Sequence, residues 1–194
     1  FESIKVALAE IKPEVIIIAT STNSHLKVIR EICKYHKPLA ILCEKPMGGS
    51  ILQGKEIIKI CNNIGIHLYV NYVRSCLPGG MDVKSRIQNN LIKGPIKCVV
   101  WYSKGLKHNG AHFINLMEGW FGKCLQVKKI NKGRETRAFG QEVSVLLEFE
   151  NCEVILIPAL EEFYSHYTIE IVSTTGRLYW NKSTIDWNEV INDD

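Results

Sequence analysis

The sequence predicts an α/β protein in which part of a doubly wound parallel sheet is followed by an α+β region built on a large, mostly antiparallel sheet. Three short apolar runs, at residues 15–19, 39–43 and 67–70, are separated by helical stretches of about 10–15 residues, the alternation produced by βαβ units. The first two runs are almost continuously apolar, as parallel strands covered on both faces are. From about Tyr72 the pattern changes to one strand after another, with turn residues between them.

The first helical stretch, residues 3–11, leads through Pro13-Glu14 into the strand at 15–19. A helix that feeds a buried parallel strand needs earlier strands beside it, so the chain reads as a fragment whose sheet begins upstream. The polar turn Thr20-Ser21-Thr22-Asn23-Ser24 follows, with Asn23 or Ser24 as the expected cap of a helix over 25–36. Leu26, Ile29, Ile32 and Cys33 share one face of that helix. A second helix over 50–62 is expected to turn Leu52, Ile57, Ile58, Ile60 and Cys61 toward the sheet and to end near Gly65. No Gly-x-Gly-x-x-Gly is present. Gly48-Gly49 and Gly79-Gly80 neither follow a strand nor open a helix at the needed spacing, so a dinucleotide pyrophosphate loop would lie ahead of Phe1.

In the second half, a helix over 79–90 is broken by Lys93-Gly94-Pro95, and an aromatic strand spans 96–103. A helix over 111–121 precedes candidate antiparallel strands at 125–130, 142–150, 153–159, 168–173 and 177–180, with tight turns at Asn151-Cys152 and Thr175-Gly176. Residues 1–72 and 73–194 are thus expected to form separate domains. One face of the second sheet should be aromatic and partly exposed, which favours a homo-oligomer, a dimer or tetramer.

Composition narrows the function classes. The 194 residues, 46% hydrophobic, suffice for a real core. The net charge of +4 comes from scattered lysines, and Lys128-Lys129 and Lys132-Gly133-Arg134 are too short for a nucleic-acid stripe. There is no apolar run of membrane length and no signal-peptide pattern at Phe1-Glu2-Ser3, so a cytoplasmic protein is expected. The seven cysteines have no regular spacing, and Cys33, Cys43, Cys61, Cys98 and Cys152 sit in apolar surroundings as reduced core thiols do, so no disulfide and no zinc framework is expected.

The chemistry-bearing residues cluster at two places. Glu44-Lys45-Pro46 sits at the carboxyl end of the second strand, where open α/β sheets carry their ligands; the alternative is an ordinary turn with solvated charges. If residues 108–115 continue the following helix, His108, His112 and Asn115 stand at i, i+4 and i+7 on one face. A buried structural histidine is the alternative for His112. A metal site would need a third ligand, and the pattern is not His-Glu-x-x-His, so none is expected.

Together, Pro13-Glu14-Val15-Ile16-Ile17-Ile18-Ala19-Thr20 with His25, then Leu42-Cys43-Glu44-Lys45-Pro46, Asn71-Tyr72-Val73-Arg74 and Asn109-Gly110-Ala111-His112-Phe113-Ile114-Asn115-Leu116 resemble the Gfo/Idh/MocA oxidoreductases. The resemblance runs through essentially the whole chain. It implies that residues 1–72 are the carboxyl-terminal part of a Rossmann domain binding NAD or NADP, and that residues 73–194 form the substrate-binding and oligomerisation domain. It implies hydride transfer between nicotinamide and a carbinol or keto carbon of a sugar, cyclitol or sugar nucleotide. By the same resemblance Thr20, Asn23 and His25 border the nicotinamide end, Glu44 and Pro46 lie at the cofactor, Lys45 contacts the reacting hydroxyl and His112 is the acid/base. Arg74 suits an anionic group, carboxylate or phosphate, unless it is an exposed arginine at a domain junction. His108 and Asn115 are substrate-binding candidates that stand where many members carry aspartates, so His112 lacks the usual charged partner. Two alternatives within the resemblance are redox-assisted lyase or glycosidase chemistry with a bound NAD, and a cofactor-sensing regulator.

Overall fold

The computed structural model describes residues 1–161, 163–181 and 184–189. The chain divides into two compact units, Phe1–Tyr72 and Val73–Asp194.

The first unit runs α1 (Ile4–Ile11), β1 (Val15–Ile18), α2 (His25–Tyr35), β2 (Ala40–Glu44), α3 (Ile51–Ile64) and β3 (His67–Asn71). Its strands form a parallel sheet in the order β1-β2-β3, as three apolar strands joined by helical crossovers require. Ile18, Ile29, Ile41, Cys43, Ile57 and Cys61 fill the core between sheet and helices. Two helix starts are set by hydroxyl caps, Ser3 Oγ accepting from Val6 N at 3.2 Å and Ser50 Oγ from Gln53 N at 3.3 Å. Gly65, at φ 74°, ends α3 in a left-handed turn that a side chain would strain.

Two local expectations change. Ser24 precedes α2 but makes no cap hydrogen bond; its hydroxyl instead lies 2.7 Å from the Ser21 carbonyl and 2.9 Å from Thr20 Oγ1, because residues 22–24 form a 3-10 turn. Leu52 and Ile58, expected toward the sheet, are instead 79% and 44% exposed, because the face of α3 that reaches the core is the one carrying Ile57 and Cys61; β1 lies at the edge of the three strands, the side on which earlier strands are expected.

The second unit opens with a 3-10 turn (Val73–Cys76) and α4 (Pro78–Gln88), then β4 (Ile96–Tyr102), a π-helix (Gly105–Gly110) and α5 (Ala111–Phe121). The strands β5 (Gln126–Lys129), β6 (Arg134–Thr136), β7 (Gly140–Glu142), β8 (Val145–Glu148), β9 (Cys152–Pro158), β10 (Tyr167–Ser173), β11 (Gly176–Trp180) and β12 (Ile185–Glu189) follow. Seven strands make one sheet in the order β12-β11-β10-β4-β9-β8-β5, antiparallel except for β4 with β9, while β6 and β7 pair apart. The expected strand over 142–150 is therefore broken, with Val143 and Ser144 between β7 and β8. The break has a partner: the buried Tyr102 hydroxyl donates to the Val143 carbonyl at 2.8 Å and accepts from Val143 N at 3.0 Å, taking the place of ladder bonds.

One face of the sheet packs with Val83 of α4 and with Phe113, Leu116, Met117 and Trp120 of α5 in a single core. The opposite face follows from strand alternation and register. Trp101, Val172 and Tyr179 are exposed there at 42%, 48% and 37%, flanked by the ion pairs Lys97–Glu153, Lys128–Glu148 and Arg177–Glu170. Among the described residues no helix is long and apolar enough to cross a membrane, and no group of His, Cys, Asp or Glu is arranged to hold a metal.

All seven cysteines are free. Burial pushes the thiols of Cys43 and Cys61 up to about 11 from an ordinary 9.0, and that of Cys152 to about 12. Once the pH passes 9.0 the unfolded chain releases these protons while the folded chain keeps them, so folding stability is complete below 9.0 and falls as pH rises toward 11. Melting temperatures measured in reducing buffer across that window should drop, and drop less steeply in Cys61→Ala; equal slopes would exclude the thiols as the cause.

Candidate active site

The candidate residues of the first unit gather at the carboxyl edge of its parallel sheet. β1 and β2 run in register, Ile18 beside Cys43, so the chain leaves both strands at one rim. Thr20 and Asn23 lie in the turn after β1; Glu44 ends β2, with Lys45 and Pro46 directly after it and a cis bond between them. Glu44 and Asn71 are register partners at the ends of β2 and β3, and Asn71 Nδ2 donates to Glu44 Oε1 at 2.6 Å. The carboxylate is thereby held at the rim as a hydrogen-bond acceptor. Gly48 and Gly49 keep the loop after Pro46 tight: a Cβ on Gly48 would lie 3.0 Å from Gly54 N, and one on Gly49 would lie 3.1 Å from Asn23 Oδ1.

His25 is 1% exposed. Its Nε2 is 3.0 Å from the Thr20 carbonyl and its Nδ1 3.2 Å from the Met47 carbonyl, so the ring joins the turn after β1 to the loop after β2 through backbone groups. Both polar positions of this side chain are thus engaged inside the fold.

The second unit carries the other group. Arg74 lies in the 3-10 turn that opens the unit, its guanidinium carbon 4.4 Å from the centre of the Tyr167 ring and 5.0 Å from that of Phe113. The guanidinium thus lies over two aromatic rings. Nε is buried and makes no hydrogen bond among the described residues. Burial pushes this guanidinium below its ordinary value and the Tyr167 phenol opposes the shift; an arginine remains charged through any such change. The turn is fixed from three sides. A Cβ at Gly80 would come within 2.6 Å of the Arg74 carbonyl, so glycine is needed for that approach. Trp120 Nε1 donates to the Gly80 carbonyl at 2.9 Å, and the Ser75 hydroxyl donates to Asn115 Oδ1.

His112, Phe113 and Asn115 all belong to the first turns of α5, so one helix carries the candidate acid/base, a ring under Arg74 and the anchor of the Arg74 turn. His112 is 7% exposed. His108 behaves differently: it is exposed, with its ring 5.4 Å from that of Phe139. Residues 105–110 wind as a π-helix, which spends more residues per turn than the α-helix assumed by an i, i+4, i+7 face. The start of that helix is held by Glu142, fully buried, whose Oε1 accepts from Lys104 N at 3.0 Å and Gly105 N at 3.3 Å while Oε2 accepts from Arg134 Nε at 2.8 Å.

Sequence reasoning passed over Asn71, Cys43, Ser75, Gly80 and Glu142 as supports of these residues. Only Asn71 carried a readable signal, since it ends the strand parallel to the one that ends in Glu44.

Residues 1–72 match the oxidoreductase family with an NAD-binding Rossmann fold. The rhizopine catabolism protein MocA of Rhizobium meliloti is 26% identical over 88 residues, 44% of this chain and 27% of that protein. Among solved structures, the WlbA dehydrogenase from Bordetella pertussis in complex with NADH and UDP-GlcNAcA superposes with a TM-score of 0.81 at 18% identity, over 97% of this chain and 66% of that one. An oxidoreductase from Agrobacterium radiobacter in complex with NAD+, L-tartaric acid and magnesium gives 0.72 at 16% identity, over 91% of this chain and 60% of that one. At such identities the structural likeness establishes the fold. The chain spans about a quarter of the length of MocA and under two thirds of the two solved relatives.

Proposed function

We propose, from the match of residues 1–72 to the oxidoreductase family with an NAD-binding Rossmann fold, that the protein is an oxidoreductase of the Gfo/Idh/MocA type that transfers hydride between a nicotinamide cofactor and a carbinol or keto carbon of a sugar, cyclitol or sugar nucleotide. One observation carries the reading: an acceptor carboxylate, Glu44, and an ammonium, Lys45, stand side by side at the carboxyl rim of a parallel sheet, where such sheets bind ligands. The donor set fits a dinucleotide. Glu44, oriented by Asn71, can accept from ribose hydroxyls; Thr20, Asn23 and Pro46 line the same rim, and the glycine pair Gly48-Gly49 keeps the loop close to it. When bound, the nicotinamide supplies the hydride acceptor or donor.

The remaining steps belong to side chains. Lys45 donates to the reacting oxygen and stabilises its alkoxide character. His112 takes the hydroxyl proton as the alcohol becomes a ketone and returns it in the reverse direction. Arg74, over the Phe113 and Tyr167 rings, meets an anionic group of the substrate. Substrates bearing carboxylates are consistent with the tartaric acid and UDP-GlcNAcA bound by the two solved relatives. Asn115, bonded to Ser75, positions the Arg74 turn, and His108, exposed within the π-helix, is a secondary substrate contact.

The test uses the intact protein that carries these residues, with a panel of sugar acids, cyclitols and nucleotide sugars, monitoring nicotinamide absorbance alongside product. Steady cofactor turnover matched to product is expected. Product formed without net change in nicotinamide would sink the dehydrogenase reading in favour of redox-assisted lyase chemistry.

The open face of the seven-stranded sheet supports a homo-oligomer. Trp101, Val172 and Tyr179 lie exposed on this face among the ion pairs Lys97–Glu153 and Arg177–Glu170, a mixed aromatic and charged surface of the kind that subunit interfaces use. Trp101→Glu should convert the oligomer to a smaller species in light scattering without loss of secondary structure; an unchanged mass would remove this face from the interface.

A further inference from the structure

Among the described residues no carboxylate forms an ion pair with Arg74. The side chain is half-buried, and its Nε is sealed from solvent without a hydrogen bond. A partly desolvated cation without a counter-charge is unfavourable, so an anion from outside the fold is its natural complement. What the chain brings to the guanidinium instead is aromatic, Phe113 from α5 and Tyr167 from the start of β10. Of the two, only Tyr167 adds a polar atom, and its phenol supports the charge of the guanidinium through a side-chain hydrogen bond.

Tyr167 is firmly placed. It is the register partner of Tyr102 on β4, and the residue before it is tied down by His166 N donating to the Ser103 hydroxyl at 2.8 Å. Its ring centre lies 5.3 Å from that of Phe113 and, edge-on, 6.3 Å from that of Trp180. The residue is 8% exposed, yet its hydroxyl is not among the atoms sealed without a partner, and neither are the Nη groups of Arg74. A phenol accepts with its oxygen and donates with its proton, so a hydroxyl that accepts from Arg74 keeps a proton for a second partner.

We propose that Tyr167 is a specificity-determining residue: its hydroxyl, together with the Nη groups of Arg74, forms the receptor for a carboxylate of the substrate. A carboxylate offers two oxygens and one negative charge, matched here by two guanidinium N–H groups, one phenol O–H and one cation. A phosphoryl dianion would leave one of its charges without a counterpart at this receptor. The proposal rests on the reading of Arg74 as the anion site of the oxidoreductase.

The experiment titrates the full chain, without cofactor, with D-glucuronate, D-glucose and D-glucose 1-phosphate at constant ionic strength. It follows the Nε–H signal of Arg74 and the 13Cζ signal of labelled Tyr167 by NMR. In the wild type, glucuronate should shift both signals saturably and with one affinity, and glucose should shift neither. Tyr167→Phe, which keeps the ring, should leave the unliganded Arg74 signal in place and weaken glucuronate about tenfold, the loss of one hydrogen bond to a charged group. Arg74→Met should abolish the Tyr167 response. Unchanged glucuronate affinity in Tyr167→Phe overturns the role of the hydroxyl; so does an unmoved Tyr167 signal in the wild type, which decides the matter even if the variant does not fold. Tighter binding of glucose 1-phosphate at the same two signals overturns the carboxylate assignment. Failure of the oxidoreductase reading would appear separately, as absent nicotinamide turnover in a wild type that binds glucuronate as expected.

Discussion

Lys45→Met should lower the rate of nicotinamide-dependent oxidation by about 10²–10³-fold, the cost of removing one donor at a developing oxyanion, while leaving NADH affinity within about twofold, since one surface-type contact contributes little to binding. Methionine keeps most of the length and apolar stem of lysine, so the loss is assigned to the ammonium. The discriminating measurement pairs kcat with cofactor affinity from fluorescence titration. Retained turnover would remove Lys45 from the chemistry and return Glu44-Lys45-Pro46 to an ordinary turn after a strand. A parallel loss of rate and cofactor affinity would move Lys45 from the reacting oxygen to the cofactor.

Glu142→Ala should destabilise the second unit by about 3 kcal/mol, the lower end of the range for breaking a buried ion pair from one side. The carboxylate is fully buried and receives three donors: the amides of Lys104 and Gly105 at the start of the π-helix, and Nε of Arg134. Truncation leaves those amides without their acceptor inside the fold. Glu142→Gln keeps one acceptor oxygen and should lose about half as much. Urea denaturation followed by tryptophan fluorescence measures both, because Trp120 and Trp180 lie in the core of the same unit. A loss below about 1 kcal/mol for the alanine variant would mean that water or another group replaces the carboxylate. The π-helix runs directly into α5, so this carboxylate also supports the backbone that carries His112.

These two residues mark what can and cannot be read along a chain. Lys45 was legible because its signal is local: an apolar run, a charge pair and a proline in sequence define a strand end and what hangs from it. The same holds for β2, β4 and β9, whose alternation or continuous apolarity states how many faces are covered, and for the hairpin turns at Asn151 and Thr175. Glu142 was not legible. It lies in a stretch that reads as one strand over 142–150, and its separation from Lys104 in the chain is invisible to any window of the length used for periodicity. The break at Val143 arises from the Tyr102 hydroxyl, a partner 41 residues away. β12 escaped notice for a different reason: its alternation runs over only a few residues and none of them is fully buried.

His108, His112 and Asn115 show the limit most clearly. An α-helical spacing puts them on one face, yet the π-turns leave His108 exposed beside Phe139 while His112 is buried. Which helix forms there depends on Glu142 and on the Lys104 backbone at φ 62°, neither of which belongs to the segment. Likewise the sequence places His25 among the candidate residues at the sheet rim, but only the folded chain reveals that its ring lies against two backbone carbonyls and a thiol.

By itself the sequence determined the class of fold, the order of its parts and the residues at the strand ends, because apolar periodicity and turn chemistry act over a few residues and survive without neighbours. Tertiary structure alone decided helix type, the break between β7 and β8, the engagement of His25 and the stacking of Arg74. The first three are settled by hydrogen-bonding groups distant in the chain that must be paired once water is excluded, and the last by rings brought from α5 and β10; neither kind of pairing has a period to read.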